Sequence, residues 1–308
     1  MSATTVSPAL AAFLARLDLV ADGTDRFVSR CEHEGLVRLF GGQVAAQALA
    51  AAGRTVDPSR HVHNLHVSFL RPGDLRTPLR LEVTRPKEGR AYDVRGVDVR
   101  QPDMLVRAAT APFHLDEPGP EWSQEDAAVG ADGALPADVD HPQDLPRREE
   151  QFAGRRDRLS PLWRQPRAMD LGYVGTPPPL DDALVPGSRC AQRVYVRADG
   201  PLPDDELLHA CLLVYATDAS LLETAVLPQG VVWADGAFEG ASLDHAVWFH
   251  RPPRADRWLR LDQRAVVLGG GRGTASGRLA DAERRLAVSV VQKGSLRPVH
   301  GDTWMAGR

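Results

Sequence analysis

The stretch Ala241-Ser242-Leu243-Asp244-His245-Ala246-Val247-Trp248-Phe249-His250-Arg251-Pro252 decides the fold, because part of it occurs twice in the chain. Its segment Phe249-His250-Arg251-Pro252 repeats Phe69-Leu70-Arg71-Pro72 after 180 residues, and Leu259-Arg260-Leu261-Asp262 repeats Leu79-Arg80-Leu81-Glu82 at the same spacing. A looser match pairs Gly89-Arg90 with Gly271-Arg272 at a spacing of 182 residues. This period is too long for a solenoid, so the matches predict two copies of one domain.

Composition and charge fit a pair of ordinary globular domains. The chain has 308 residues, of which 43% are hydrophobic and 25% are charged, and a chain of this length divides into about two domains that each bury a core. We find no apolar run that approaches the length of a membrane span. The formal net charge of -4 argues against a nucleic-acid partner, which would require a surplus of Lys and Arg. We therefore expect neither a nucleic-acid partner nor a membrane partner.

The three cysteines, Cys31, Cys190 and Cys211, are widely spaced and odd in number. They form neither a disulfide framework nor a CxxC metal motif, which indicates a reducing compartment. Residues Met1 to Ala11 lack the positive charge of a signal peptide, and the final Ala306-Gly307-Arg308 is not a peroxisomal address. We expect the protein to be cytoplasmic.

The first copy has the pattern of a helix followed by an antiparallel sheet. After a short leading helix over Leu10 to Leu19, Gly41-Gly42 precedes a helix over Gln43 to Ala52, whose small apolar residues follow helical spacing. The glycine pair either presents backbone N–H groups to an anion or a carbonyl oxygen, or only permits a tight turn into the helix. Turn residues then separate four predicted strands, which are His61 to Leu70, Leu79 to Arg85, Ala91 to Val99 and Met104 to Leu115. This order predicts an α+β domain.

A connection between the copies begins where the composition changes. Of the 24 prolines, 11 lie between Asp116 and Pro186, together with acidic pairs such as Glu125-Asp126. The stretch Glu117 to Asp144 is predicted to be an exposed and partly mobile loop. We predict an N-terminal unit over residues 1–115, a Pro-rich acidic linker over 116–165, and a C-terminal unit over 166–308 in which 168–174 forms the first strand.

The second copy repeats this order and adds polar residues at buried positions. A strand near Cys190 to Arg197 precedes a helix that is capped by Asp204 or Asp205, and Asp218 falls on the apolar stripe of that helix. A carboxylate on a buried face costs free energy unless it is paired or used, so Asp218 either serves a site or merely ends the helix. Gln292 follows a run of apolar residues and is either a site donor or a structural amide. The remaining predicted strands are Leu243 to His250, Trp258 to Leu268, Thr274 to Ala280 and Leu286 to Gly294.

Several of these segments together resemble a known family. Tyr215-Ala216-Thr217-Asp218, the stretch 242–252 and Val291-Gln292-Lys293-Gly294 are similar to the signatures of the type II acyl-CoA thioesterases. Leu39-Phe40-Gly41-Gly42-Gln43 and Phe69-Leu70-Arg71-Pro72-Gly73-Asp74 match the first half of that family. The resemblance implies a double hotdog fold, in which each of two tandem units has a long central helix wrapped by a curved antiparallel sheet. It also implies association into a homo-oligomer.

For function, the resemblance implies hydrolysis of an acyl-CoA to a free acid and CoA, with Asp218, Ser242 and Gln292 as the catalytic residues and without a cofactor or a metal. These residue types suit direct attack by water, because a thioester carbonyl needs only a positioned base and donors toward the developing oxyanion. Asp218 takes the proton in this hypothesis, while Ser242 and Gln292 orient the water or polarise the carbonyl. Thr is also common in the family at the position of Ser242, and its hydroxyl has the same donor and acceptor chemistry.

Three other patterns lead to weaker hypotheses. Alternation along a strand places His61 and His63 on the face opposite His66, which disfavours a metal site. The run 269–273, Gly-Gly-Gly-Arg-Gly, lacks the Lys-Ser/Thr of a P-loop and predicts a turn between strands. Ser242 and His245 are three residues apart on a strand and should point to opposite faces, which disfavours a nucleophile and base pair.

Two rival functions stay open. A hotdog enoyl-CoA hydratase would have a His five residues after the helix Asp, where this chain has Glu223. A non-catalytic acyl-CoA-binding protein would keep the fold without turnover, and the complete set of Asp218, Ser242 and Gln292 argues against it.

Overall fold

Two apolar helices, α2 (Gly41–Gly53) and α4 (Glu206–Thr217), pack against each other inside the protein. The computed structural model in which they are seen describes residues 5–30, 39–102, 104–120, 122, 139, 141–154, 159, 164–232 and 238–299. Helix α2 approaches α4 closely because its residues are small, and a Cβ atom at Gly53 would lie 2.4 Å from Leu207 Cδ2. The helix predicted over Gln43 to Ala52 is confirmed, and both glycines of the preceding pair belong to its first turn.

Helix α4 is buried on every side from His209 to Thr217. It begins at one of the two predicted caps, since the Asp205 carboxylate accepts the backbone N–H of Leu208 at 3.1 Å. With the short helix α5 (Leu221–Thr224), it forms a stretch, Glu206–Gln229, that is long and apolar enough to cross a membrane by length and composition alone. The expectation that no such run exists is therefore wrong. Its most apolar window is 94% buried inside the protein, as in a core helix.

Two further helices lie outside this pair. Helix α1 (Pro8–Leu17) begins at Ser7, whose hydroxyl accepts the backbone N–H of Leu10 at 3.2 Å. Its Phe13 ring packs on Tyr215 of α4 with 4.4 Å between ring centroids. Helix α3 (Arg148–Gln151) lies in the predicted linker.

Within the described residues, 13 strands form one sheet in which the paired strands are antiparallel. The first half contributes β1 (Val20–Ala21), β2 (Arg26–Val28), β3 (His61–Val62), β4 (Asn64–Phe69), β5 (Arg80–Lys87), β6 (Tyr92–Gln101) and β7 (Met104–His114). The second half contributes β8 (Met169–Tyr173), β9 (Ala191–Ala198), β10 (Phe238–Phe249), β11 (Leu259–Gly269), β12 (Arg272–Ala280) and β13 (Leu286–Pro298). All predicted strands are present, and β1 and β2 were not predicted.

The order of the strands is nearly symmetric about the centre of the sheet. It runs β1-β2-β5-β6-β7-β4-β10-β13-β12-β11-β9-β8, with β3 also paired to β7. Strands β4 and β10 join the halves, and His66 pairs with Ala246 at the middle of this seam. These two residues differ by the repeat spacing of 180. This register is the one expected if the two halves are related by an approximate two-fold axis through this pair.

The two halves share a bulge. The pairing with β7 moves by one residue at His63, where β3 ends and β4 begins. The pairing of β10 with β13 moves by one residue at Leu243, which lies 180 residues later. An extra residue reverses the alternation of side chains, so His61, His63 and His66 all avoid the buried face. The predicted opposition of His66 to the other two histidines is wrong for this reason.

The end of the predicted linker packs onto the sheet. The amide nitrogen of Gln151 donates to the backbone oxygen of Tyr173 in β8 at 3.1 Å, and its amide oxygen accepts the backbone N–H of Tyr173 at 3.2 Å. The neighbouring Phe152 is buried. Most of the loop predicted over Glu117 to Asp144 lies outside the described residues. The first strand of the second half, predicted over 168–174, is confirmed as β8.

A two-residue turn joins β11 and β12. Gly269 pairs with Arg272, and the two residues between them, Gly270 and Gly271, have φ angles of 57° and 70°. Positive φ at both central residues is the geometry of a tight hairpin turn, and it favours glycine. The predicted turn is confirmed.

Leu212 is fully buried in α4, so Leu212→Ala removes packing and leaves a cavity. We expect the free energy of unfolding to fall by about 2–5 kcal/mol. The matched control is Leu70→Ala at an exposed position, which should change it by less than about 0.5 kcal/mol. Urea denaturation followed by circular dichroism measures both, and equal losses would contradict the central place of α4.

Candidate active site

The structure brings Asp218, Ser242 and Gln292 together, although they are far apart in the chain. The Ser242 hydroxyl donates to Asp218 Oδ1 at 3.3 Å. The amide nitrogen of Gln292 donates to Ser242 Oγ at 3.0 Å, and it also donates to Asp218 Oδ1. The three side chains thus form one closed set of hydrogen bonds.

Each of the three residues is placed by a different element. Asp218 directly follows α4 as its C-cap and is only 8% exposed, so it both ends the helix and enters the site. Gln292 lies on the buried face of β13 and is fully buried. Ser242 lies on β10 and is half-buried. The site therefore depends on how α4 is held against β10 and β13.

The bulge at Leu243 changes which side chains of β10 face the site. Ser242 pairs with Gly294 and His245 pairs with Gln292, and both of these partners lie on the buried face of β13. Because the bulge reverses the alternation, Ser242 and His245 lie on the same face of the sheet. The prediction that they point to opposite faces is wrong.

The contacts of His245 do not support a role as a base for Ser242. Its Nε2 atom lies 3.0 Å from Thr217 Oγ1, and the Ser242 hydroxyl donates to Asp218 instead. Burial lowers the pKa of His245 to about 3, so the imidazole is neutral at physiological pH. The geometry therefore gives no support to a serine–histidine pair.

The electrostatic state of Asp218 follows from its burial. Removal from water raises the pKa of this carboxyl from an ordinary value of 3.8 to about 6. Four groups act in the opposite direction and stabilise the charge, in decreasing order the backbone N–H of Gly42, the side chains of Ser242 and Gln292, and the charge of Arg107. Asp218 is thus mostly ionised at pH 7 and is a stronger base than a solvated carboxylate.

The glycine pair at the start of α2 lies directly against Asp218. A Cβ atom at Gly41 would lie 2.9 Å from Asp218 Oδ2, and a Cβ atom at Gly42 would lie 2.8 Å from the backbone oxygen of Tyr215. The first of the two predicted roles is therefore the one seen, because the Gly42 N–H binds an anion and that anion is the protein's own carboxylate. Neither glycine has a positive φ angle, so close approach is the reason for glycine here.

Two residues of the first half were not predicted as part of the site. Cε1 of Phe69 would lie 2.9 Å from a Cβ atom at Gly41, so the ring forms a wall beside the Asp218 carboxylate. Arg107 pairs with Phe69 across β4 and β7, and its Cζ lies 4.6 Å from the centroid of the Phe69 ring. The repeated motif that begins at Phe69 was the available signal, but it indicated duplication and gave no information about proximity to Asp218.

The donor set of the site is one carboxylate, one hydroxyl and one amide. Among the residues that the structure describes, no group of three His, Cys, Asp or Glu side chains is close enough together to hold a metal ion. The chemistry that these three groups can perform is proton transfer and hydrogen bonding to a polar substrate or a water molecule.

Comparison with known proteins identifies the family. Residues 174–295 match the family model described as acyl-CoA thioesterase, and residues 32–114 match the model of the acyl-CoA thioesterase N-terminal domain. Acyl-coenzyme A thioesterase 8 of Homo sapiens is 32% identical over 262 residues, which cover 84% of this chain and 81% of that protein. The chain belongs to the acyl-CoA thioesterase family. The family predicted from the motifs is confirmed.

Solved structures agree with the fold of this thioesterase. The crystal structure of an acyl-CoA thioesterase II, TesB2, from Mycobacterium marinum is 34% identical to it, with a TM-score of 0.71 over 93% of this chain and 98% of that chain. A conserved protein with a hot dog fold from Alicyclobacillus acidocaldarius is 20% identical, with a TM-score of 0.72 over 94% and 99% of the two chains, and it supports the fold alone. The thioesterase is an α+β protein of the hotdog type.

Gly42→Ala tests the contact between α2 and Asp218. The added Cβ atom would lie 2.8 Å from the Tyr215 oxygen and 3.0 Å from Asp218 Cβ, so α2 must move away from the carboxylate. We expect thioesterase activity to fall at least about tenfold, because the donor from Gly42 is displaced. Gly119→Ala is the control, since nothing lies within 4 Å of a Cβ atom there. Steady-state assays of both variants measure the effect, and full activity in Gly42→Ala would exclude the role of this helix terminus.

Proposed function

We propose that the protein hydrolyses acyl-CoA thioesters to a free carboxylic acid and CoA by direct attack of water. Membership of the acyl-CoA thioesterase family supports the reaction. The observation that carries the mechanism is the buried carboxylate of Asp218, whose pKa is about 6 and which shares hydrogen bonds with Ser242 and Gln292. A base with this pKa is matched to proton transfer near neutral pH.

In the proposed mechanism, Asp218 removes a proton from the attacking water. Its Oδ1 atom already accepts hydrogen bonds from Ser242 and Gln292, which leaves Oδ2 as the other oxygen of the carboxylate. We infer that Oδ2 takes the proton. The oxygen of the water bonds to the thioester carbon, the carbon–sulfur bond breaks, and the thiolate of CoA leaves and is protonated from Asp218.

Ser242 and Gln292 have the proposed role of orienting the water or polarising the carbonyl. A donor aimed at a developing oxyanion is worth about 3 kcal/mol of barrier, and these are the two side-chain donors that bond to Asp218 among the described residues. A nucleophilic role for Ser242 receives less support, because His245 on the same strand is engaged with Thr217.

We also propose that the chain contains two hotdog units fused in tandem. The N-terminal unit covers residues 1–115, the linker covers 116–165 and the C-terminal unit covers 166–308. The near-symmetric order of strands, the two-fold register at His66 and Ala246, and the bulge repeated at His63 and Leu243 support the duplication. Each unit places its helix, α2 or α4, against the other.

The cellular setting is likewise proposed. A cytoplasmic location agrees with the free thiols of Cys190 and Cys211, while Cys31 lies outside the described residues. The net charge of -4 supports the absence of a nucleic-acid partner, and burial of the apolar stretch Glu206–Gln229 supports the absence of a membrane partner. Association into a homo-oligomer rests on the family resemblance.

Release of free CoA from acyl-CoAs of different chain lengths, detected with a thiol reagent, tests the reaction. Asp218→Asn should nearly abolish turnover, because it keeps the shape of the side chain and removes the base. Ser242→Ala and Gln292→Ala should each lower kcat by about a hundredfold, and the double variant should lose less than the product of the two effects. Binding of acyl-CoA without release of CoA by the wild-type protein would instead identify a binding protein.

A single-turnover experiment distinguishes the two routes of attack. With acyl-labelled substrate, direct attack by water leaves no label on the quenched protein. Label on Ser242, or full activity in Asp218→Asn, would overturn the proposed mechanism.

The raised pKa of Asp218 predicts opposite effects of pH on activity and on stability. Because the ionised carboxylate is the base, kcat/KM should fall about tenfold per pH unit below about pH 6 and level off above it. The carboxyl ionises at about 6 in the folded state and at its ordinary 3.8 when unfolded. Because the folded state holds this proton more tightly, the free energy of unfolding falls as the pH rises from 3.8 through about 6. Asp218→Asn should accordingly raise the free energy of unfolding at pH 7.5 by about 1–3 kcal/mol and have no such effect at pH 4. Denaturation at both values measures it.

A further inference from the structure

His245 connects two of the elements that carry the proposed catalytic residues. Its imidazole is fully buried, and its Nε2 atom lies 3.0 Å from Thr217 Oγ1. Thr217 is the last residue of α4 and directly precedes Asp218. Ser242 lies three residues before His245 on β10. The proposed chemistry itself gives this histidine no role.

The hydrogen bonds of Thr217 determine which nitrogen of His245 carries the proton. The Thr217 hydroxyl donates to the backbone oxygen of Leu213 at 2.9 Å. The backbone oxygen of Val214 also lies within hydrogen-bond distance of this hydroxyl, at 3.2 Å. A hydroxyl has one proton to donate and two lone pairs, so it accepts from His245. When Thr217 donates its proton to Leu213, the proton of the neutral imidazole lies on Nε2 and Nδ1 is an acceptor.

The same histidine is adjacent to Gln292. The two residues are direct cross-strand partners on the buried face, and the Cβ atoms of such partners lie about 4.5–5.5 Å apart. His245 thus touches the end of α4, shares a strand with Ser242 and is the neighbour of Gln292. His245 is therefore linked to the elements that carry all three proposed catalytic residues.

We propose that His245 is a positioning residue, whose hydrogen bond to Thr217 fixes the end of α4 against β10 and so sets the separation of Asp218 and Ser242. This inference rests on the proposed function, because it concerns the alignment of those two groups for hydrolysis. The Ser242–Asp218 hydrogen bond of 3.3 Å is already long for an O–H···O bond, so a small movement of the helix end breaks it. Misplacement of a reacting group by about 1 Å lowers the rate by as much as a hundredfold.

Four variants test the link between the two side chains. His245→Leu removes the donor and Thr217→Val removes the acceptor. His245→Gln and Thr217→Ser each keep the hydrogen-bonding group. We expect His245→Leu and Thr217→Val to lower kcat by about tenfold or more, with KM changed less than about twofold. His245→Gln and Thr217→Ser should keep most of the wild-type kcat. The double variant His245→Leu/Thr217→Val should be no slower than the slower single variant, because both changes break one bond. NMR of ¹⁵N-labelled histidine should show the proton on Nε2 of His245 in the wild-type protein.

His209→Leu is the matched control, because His209 is also a buried histidine and lies within α4 near its start, where its Nδ1 accepts the backbone N–H of Ala255 at 3.2 Å. This variant should lose stability and keep its kcat. A kcat within twofold of wild type in folded His245→Leu or in Thr217→Val, or multiplicative losses in the double variant, would overturn the inference. If His245→Leu does not fold, Thr217→Val decides. If the Asp218→Asn variant is inactive and the separate Thr217→Val variant is active, only the positioning role is overturned. If the Asp218→Asn variant is active, the proposed function and this inference are overturned together.

Discussion

A carboxylate that is held ionised at the end of a buried helix is the constraint on which the site depends. Burial disfavours the ionised form of Asp218, and donors from α2, β10 and β13 stabilise its charge. These elements belong to both halves of the chain. The packing of α2 on α4 and the pairing of β4 with β10 are therefore conditions for the chemistry as well as for the fold. The residual unfavourable environment is what gives the carboxyl a pKa of about 6.

The regular elements followed from local patterns in the sequence. Small apolar residues at helical spacing predicted α2, and turn residues separated the strands. The start of α4 was predicted at Asp204 or Asp205, and Asp205 is the cap that the structure has. The three candidate site residues were found because the motifs around them resemble one family in combination. Periodicity alone left both Asp218 and Gln292 open to a purely structural interpretation.

Two kinds of feature could not be predicted from local patterns. The bulges at His63 and Leu243 add one residue to a strand without a proline or glycine at that point, so alternation assigned His66 and His245 to the wrong faces. Phe69 and Arg107 reach Asp218 only through the pairing of strands and helices from different halves. That pairing is a tertiary property, and no spacing within the chain expresses it.

The repeated bulge makes it possible to ask what occupies the corresponding place in the first half. At the repeat spacing of 180 residues, Val62 corresponds to Ser242. When the pairing of β7 with β4 is superposed on the pairing of β13 with β10, Ala111 takes the place of Gln292. Both counterparts are buried hydrocarbon. A symmetric dimer of identical units would have to bury the ionisable set twice and bear its destabilisation twice. In the proposed tandem arrangement only one of the two units bears this destabilisation, because the positions that correspond to Ser242 and Gln292 in the other unit are apolar.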